Sequence, residues 1–123
     1  MSKRAVTVDL ETSLSQARKV MSEHAVRHLP VLDGTKIVGL LSERDLSKLE
    51  GFSMLDINLV SVPDAMSENP YVVEPKTPVF EVVRTMRRNR YGSAVVADGG
   101  KVVGMFTTMD ALGLLGTMLD PSD

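Results

Sequence analysis

The stretch GLLSERD at residues 39–45 returns as GMFTTMD at residues 104–110. Laid on itself at that offset of 65 residues, the chain matches without a gap: Val8 falls on Val73, Thr12 on Thr77, Met21 on Met86, Val31 on Val96, Asp33-Gly34 on Asp98-Gly99 and Lys36 on Lys101. Self-similarity at one fixed offset marks a duplicated structural unit, so both copies are expected to take one fold. Met1-Ser2 falls on Met66-Ser67, inside VPDAMSENP (62–70), so the first copy starts within the motif and lacks the lead-in that precedes the second.

Composition limits what the pair can be. At 123 residues and 43% hydrophobic content, the chain suits one compact domain, or two small halves sharing one core, rather than two independent domains. Fourteen basic against 16 acidic residues leave a net charge of −2, which supplies no overall field to hold nucleic acid or an anionic membrane. There is no cysteine, which excludes disulfides, thiolate metal sites and a cysteine nucleophile. The longest apolar run, ALGLLGTML (111–119), is far short of the ~20 residues of a spanning helix, and a soluble, cytoplasmic protein is expected.

Each copy reads as βαββα. AVTV (5–8) and PYVV (70–73) are short β-branched runs, followed by helix starts at Thr12-Ser13, with Gln16 as capping partner, and at Thr77, with Pro78 in the first helical position. The helices carry apolar stripes: Leu14, Ala17, Met21 and Ala25 in the first copy, Val79, Val82, Val83 and Met86 in the second. HLPVL (28–32) and SAVVA (93–97) then meet an Asp-Gly turn and KIVGLLS or KVVGMFT, which predicts a hairpin in each copy. A second helix closes each copy, over about 43–49 and 108–118. The organisation predicted is repeat one over 1–50, a connector over 51–62 and repeat two over 63–120. Leu55, Ile57, Leu59 and Val60 make the connector apolar enough to pack. The methionines, Met21, Met86, Met105 and Met109 among them, read as adaptable core filler.

Ser42 and Thr107 stand where a strand runs into a helix, each with an aspartate three residues on, Asp45 and Asp110. Two readings compete. Ser/Thr-x-x-Asp is a helix cap with an acid in the first turn, which needs no ligand. A helix N-terminus fed by a strand is also an anion site, and an aspartate inside it can accept hydrogen bonds from the vicinal hydroxyls of a ribose. Gly39 and Gly104, just before, would admit the close approach of a ring or sugar.

The duplicated βαββα pattern, the phrase hydrophobic-x-Val-Gly ending in Ser/Thr-x-x-Asp, and VPDAMSENPYVVEPKTPVFEVV (62–83) resemble a tandem pair of CBS domains, a Bateman module. The resemblance covers nearly the whole chain and implies an α/β fold of the α+β kind. Its two repeats would be related by a pseudo-two-fold axis, with clefts between them for adenosine-containing ligands: AMP, ADP, ATP, NAD or S-adenosylmethionine. It implies that Asp45 and Asp110 hold ribose hydroxyls, that Ser42 and Thr107 contact ribose or phosphate, and that Val8 and Val73 lie near the base. RHLPV and SERD in the first repeat are similar to stand-alone bacterial members; a fragment of a larger protein fits equally. Members commonly stack their helices against a second pair, so a homodimer is expected.

The copies differ in charge. Arg27, His28, Arg44 and Lys48 cluster by sequence around the first motif while the second has none within its loop; a ligand with several phosphates needs cations, so the two sites are expected to differ in affinity. Arg84, Arg87, Arg88 and Arg90 read as a solvated helix face. His24 and His28 end a helix and enter a strand, which defeats zinc ligation at helical spacing. No nucleophile and base can be assembled, so no catalysis is expected. The leading reading is a regulatory module in which an adenine nucleotide is a ligand, not a catalytic cofactor. The alternative is an architectural dimerisation module with empty clefts, and the regulated target is not legible.

Overall fold

The computed structural model describes residues 6–51 and 59–121. They divide into two compact units, one over Val6–Pro70 and one from Tyr71 onward.

In the first unit, β1 (Val8–Asp9) leads to α1 (Leu14–His24), then β2 (His28–Asp33), β3 (Lys36–Ser42), α2 (Glu43–Glu50), α3 (Val62–Ala65) and β4 (Ser67–Glu68). The sheet order is β1-β2-β3-β4, with β1 parallel to β2 and the other neighbours antiparallel. The second unit repeats the pattern with β5 (Val72–Val73), α4 (Val79–Asn89), β6 (Ser93–Asp98), β7 (Lys101–Thr107) and α5 (Thr108–Leu119), and its sheet is ordered β5-β6-β7. The α/β class and the βαββα order follow the sequence.

Local chemistry explains most boundaries. Ser13 and Gln16 close a reciprocal capping box at the start of α1, the Gln16 amide donating to Ser13 Oγ (3.1 Å) and the Ser13 amide to Gln16 Oε1 (3.2 Å). α4 begins differently from expectation: Pro78 is the N-cap rather than the first helical residue. Thr77 Oγ1 instead accepts the Glu74 amide (3.2 Å), so its oxygen tightens the preceding turn. Gly34 (φ +64°) and Gly99 (φ +60°) take the left-handed conformation that the two hairpin turns demand. Both hairpins carry an irregularity at the same repeat position, between Val31 and Leu32 and between Val96 and Ala97, which no residue pattern announces.

One difference between the copies has a simple cause. In the second unit the Val95 amide donates to the Tyr71 carbonyl (2.8 Å) and the parallel ladder begins at Val72↔Val95. The first unit has Pro30 in place of Val95, with no N–H to give, and its ladder begins one position later, at Val8↔Val31.

Among the described residues each sheet packs its own core, where the sequence suggested a single shared one, because each hairpin and its helix close an apolar interior of their own. Leu14, Ala17, Met21, Leu29, Val31, Leu41 and Leu46 are buried in the first, and Val82, Met86, Ala94, Val96 and Phe106 in the second. Each large apolar side chain so buried contributes about 1.5–3 kcal/mol relative to exposure. The stripes are narrower than the sequence indicates: Ala25 is the exposed left-handed C-cap of α1, and Val79 and Val83 face solvent. Met109 is 69% exposed, unlike the buried Met21, Met86 and Met105. Leu59 is 84% exposed and does not pack, whereas Val60 lies against the first core; Leu55 and Ile57 fall outside the described residues.

The lead-in segment crosses the repeat boundary. The phrase VPDAMSENP (62–70) leads into the second copy, yet Val62 is fully buried in the first core and β4 pairs with β3 through Gly39↔Glu68 and Leu40↔Ser67.

Candidate functional site

The repeated phrase forms the same device twice. In the first unit β2 and β3 run antiparallel with His28 opposite Ser42, so β3 ends where α2 begins and Ser42 caps it. The Ser42 amide donates to Asp45 Oδ2 (2.9 Å), and the Asp45 amide donates to Ser42 Oγ (3.1 Å). In the second unit Ser93 lies opposite Thr107. The Thr107 amide donates to Asp110 Oδ2 (2.8 Å), the Thr107 hydroxyl reaches the same oxygen (3.1 Å), and the Asp110 amide donates to Thr107 Oγ1 (3.3 Å). Both aspartates are half-buried. Each box is complete without a ligand, and Ser, Thr or Asp in such a cap is worth about 1 kcal/mol.

The caps reduce what the helix ends offer to an anion. The Glu43 amide donates to the Arg27 carbonyl (2.8 Å) and the Thr108 amide to the Gly92 carbonyl (3.2 Å). With the Asp45 and Asp110 amides also engaged, the first turns of α2 and α5 present fewer donors than an uncapped helix.

His28, half-buried beside this junction, has its pKa lowered, first by burial and secondarily by the Arg27 charge, while the Asp45 carboxylate pulls the other way. Arg44 is exposed in the first turn of α2, and Arg27 lies 3.7 Å from Glu43 through Nε···Oε2.

The remaining sequence-derived residues lie farther along the sheets. Val8 and Gly39 flank Val31, and Gly39 precedes Ser42 by three strand residues, about 10 Å. Val73 and Gly104 flank Val96 in the same way. Val8 and Val73 are core members, 7% and 8% exposed. Gly39 has a structural cause that the sequence hides: a Cβ there would overlap Met66 Sδ and come within 3.0 Å of the Ser67 carbonyl oxygen. The space beside Gly39 is filled by the protein's own lead-in segment. Thr7, Val8, Asp9, Gln16 and Lys19 help line an open cavity of about 620 Å³ that also reaches Gly34; Ser42, Asp45 and His28 do not line it.

Comparison with known proteins identifies the family. The family model for the CBS domain matches residues 1–50 and 61–116. A CBS domain-containing protein of Dictyostelium discoideum is 33% identical, over 98% of this chain and 91% of that protein. Inosine-5'-monophosphate dehydrogenase of Korarchaeum cryptofilum is 34% identical over 85% of this chain, which spans only 21% of the enzyme. Among solved structures, the CBS domain pair of protein MJ0100 in complex with 5-methylthioadenosine and S-adenosyl-L-methionine superposes with a TM-score of 0.83 at 27% identity, covering 96% of this chain and 93% of that one. With the family match falling on both copies of the repeated phrase, the chain belongs to the CBS domain family, as a pair of CBS repeats.

Proposed function

We propose that the protein is a regulatory module that binds adenosine-containing ligands and has no chemistry of its own. The observation that carries this reading is the half-buried aspartate held at the third helical position of both strand–helix junctions by the same capping box. A carboxylate accepts several hydrogen bonds, so capping one oxygen still permits a pair of ribose hydroxyls to be held. A related pair, at 27% identity, was solved with two adenosine compounds, which favours this ligand class. In this reading Asp45 and Asp110 hold ribose, Ser42 and Thr107 stand beside the sugar or phosphate, and the adenylate pool the module senses is cytoplasmic. Occupancy would bias a packing equilibrium that a regulated partner reads.

The completeness of the capping boxes favours a second reading, an architectural module with no nucleotide. Melting curves with AMP, ADP, ATP and S-adenosylmethionine separate the two. Ligand should raise the melting point of the wild type, less so in Asp45→Ala and in Asp110→Ala, and scarcely at all in the double variant. Each single loss should weaken its own site by about ten- to hundredfold, the equivalent of roughly 1.5–3 kcal/mol of charge-assisted hydrogen bonding. A full ligand shift in the double variant would mean that these aspartates only cap helices.

A homodimer belongs to the same proposal. None of the α5 side chains is buried, and Leu112, Leu115, Met118 and Leu119 are exposed on a helix without a charged residue after Asp110. An apolar surface of that kind suits a second copy.

A further inference from the structure

We propose that two copies of this chain associate second unit on second unit, about a two-fold axis, through an apolar face that α4 and α5 share. The inference rests on the homodimer reading and names which repeat, and which face of it, makes the contact.

The duplication supplies the comparison. In the first unit Arg18 on α1 and Glu50 on α2 form an ion pair, so these two helices meet at a charged clasp. At the 65-residue offset Val83 and Leu115 take these two places. One turn earlier on each helix, Ser15 and Ser47 correspond to Phe80 and Leu112. Residues three apart on a helix share a face, so four polar stations on one helix pair match four apolar stations on the other. All four apolar side chains are exposed, Phe80 at 61% and Leu112 at 57%. The second core is filled by others: it takes Val82 and Met86 from α4, with Ala111 of α5 packed against it.

The patch extends beyond those four. Val79, one turn before Val83, and Leu119, one turn after Leu115, are exposed as well. Together these side chains present apolar surface on the order of several hundred Å², against the ~800 Å² that each partner buries in a stable interface, polar rim included. Arg84 lies over the Phe80 ring at 5.3 Å from its centroid, which sets a cation at the margin of the apolar area, as interfaces favour.

Symmetry selects the occupant. A two-fold contact sets a patch against its own copy, so the patch must be complementary to itself. An apolar face meets that condition. A second unit docked on a first unit would instead cover Arg18 and Glu50 with Val83 and Leu115, taking both charges out of water for no new partner. The exposed ion pair of the first unit, already satisfied internally, gains little from meeting another like it.

The chain has no cysteine, so introduced thiols report contacts directly. Treated with a short bis-maleimide, Leu112→Cys and Leu115→Cys chains should each cross-link to their own kind, and a mixture of Leu112→Cys with Ser47→Cys chains should give no product joining the two. In sedimentation, Phe80→Glu and Leu112→Glu should each weaken association about tenfold or more with melting curves near that of the wild type, whereas Ser15→Glu and Ser47→Glu should change it less than about threefold. Val83→Arg combined with Leu115→Glu, which copies the clasp of the first unit, should give a folded monomer. Cross-linking between the Leu112→Cys and Ser47→Cys chains, equal weakening by glutamates in the two units, or a dimer that survives the transplanted clasp overturns the inference while leaving a dimer in place. A monomeric wild type sinks the homodimer reading itself.

Discussion

Met66 occupies the space that a side chain on Gly39 would need, and so a residue from the lead-in of the second repeat fixes the identity of a residue in the hairpin of the first. Gly39→Ala should destabilise the protein by about 1–3 kcal/mol, as forced overpacking does. In a Met66→Ala background the same substitution should cost less than half as much, measured as a double-mutant cycle by urea denaturation. Equal costs in the two backgrounds would show that Met66 is not what excludes a side chain from this position.

Two helices end on residues that dislike their own backbone. Ala25 (φ 52°) and Arg90 (φ 58°) hold the left-handed C-cap position where glycine is preferred. Ala25→Gly and Arg90→Gly should each stabilise by about 0.5–1 kcal/mol, a rise of a few degrees in melting temperature. A lower melting point in either variant contradicts the strain assigned here.

His28 should make stability depend on pH. Its folded-state pKa is lowered, chiefly by burial, with Arg27 acting in the same direction and Asp45 opposing. The unfolded chain therefore binds a proton more readily than the folded one. This contribution is fully present above the ordinary histidine value of about 6.5 and is lost as pH falls from there through the folded pKa. Melting temperature should drop on acidification through this window, and His28→Gln should flatten the drop. An unchanged profile in the variant would assign the dependence to other groups.

The proposed dimer should sediment as such at about 50 µM, far above the dissociation constant of an interface of standard size. Leu115→Glu, on exposed α5, should shift it to monomer without lowering the unfolding cooperativity. Only monomer in the wild type at that concentration would rule out α5 as a contact between copies.

What could be read from the sequence follows the range of the interactions. The caps at Ser13, Ser42 and Thr107 and the Asp-Gly turns were legible because their determinants lie within four residues. The homologous start at Thr77 was misread by one residue because its hydroxyl had a second local partner, the Glu74 amide. Pairing across the chain was harder: no periodicity announces that Ser67 and Glu68 hydrogen-bond to the first hairpin or that Val62 enters the first core. At the candidate site, Ser42, Asp45, Thr107 and Asp110 were identifiable from their spacing, whereas Gly39 drew a ligand explanation because Met66, which fills the gap, is 27 residues away.

The lead-in segment ties the duplication together in a way that simple tandem copying would not. Residues 62–68 precede the second copy in the sequence, but Val62 is buried in the first core and β4 is hydrogen-bonded to the first hairpin. A chain severed between the copies would keep its downstream piece anchored: release requires stripping β4 from β3 and drawing Val62 out of an apolar interior. Either half expressed after a cut before Val62 would be deficient, the upstream one missing β4 from its sheet and the downstream one trailing a segment that packs on the first core.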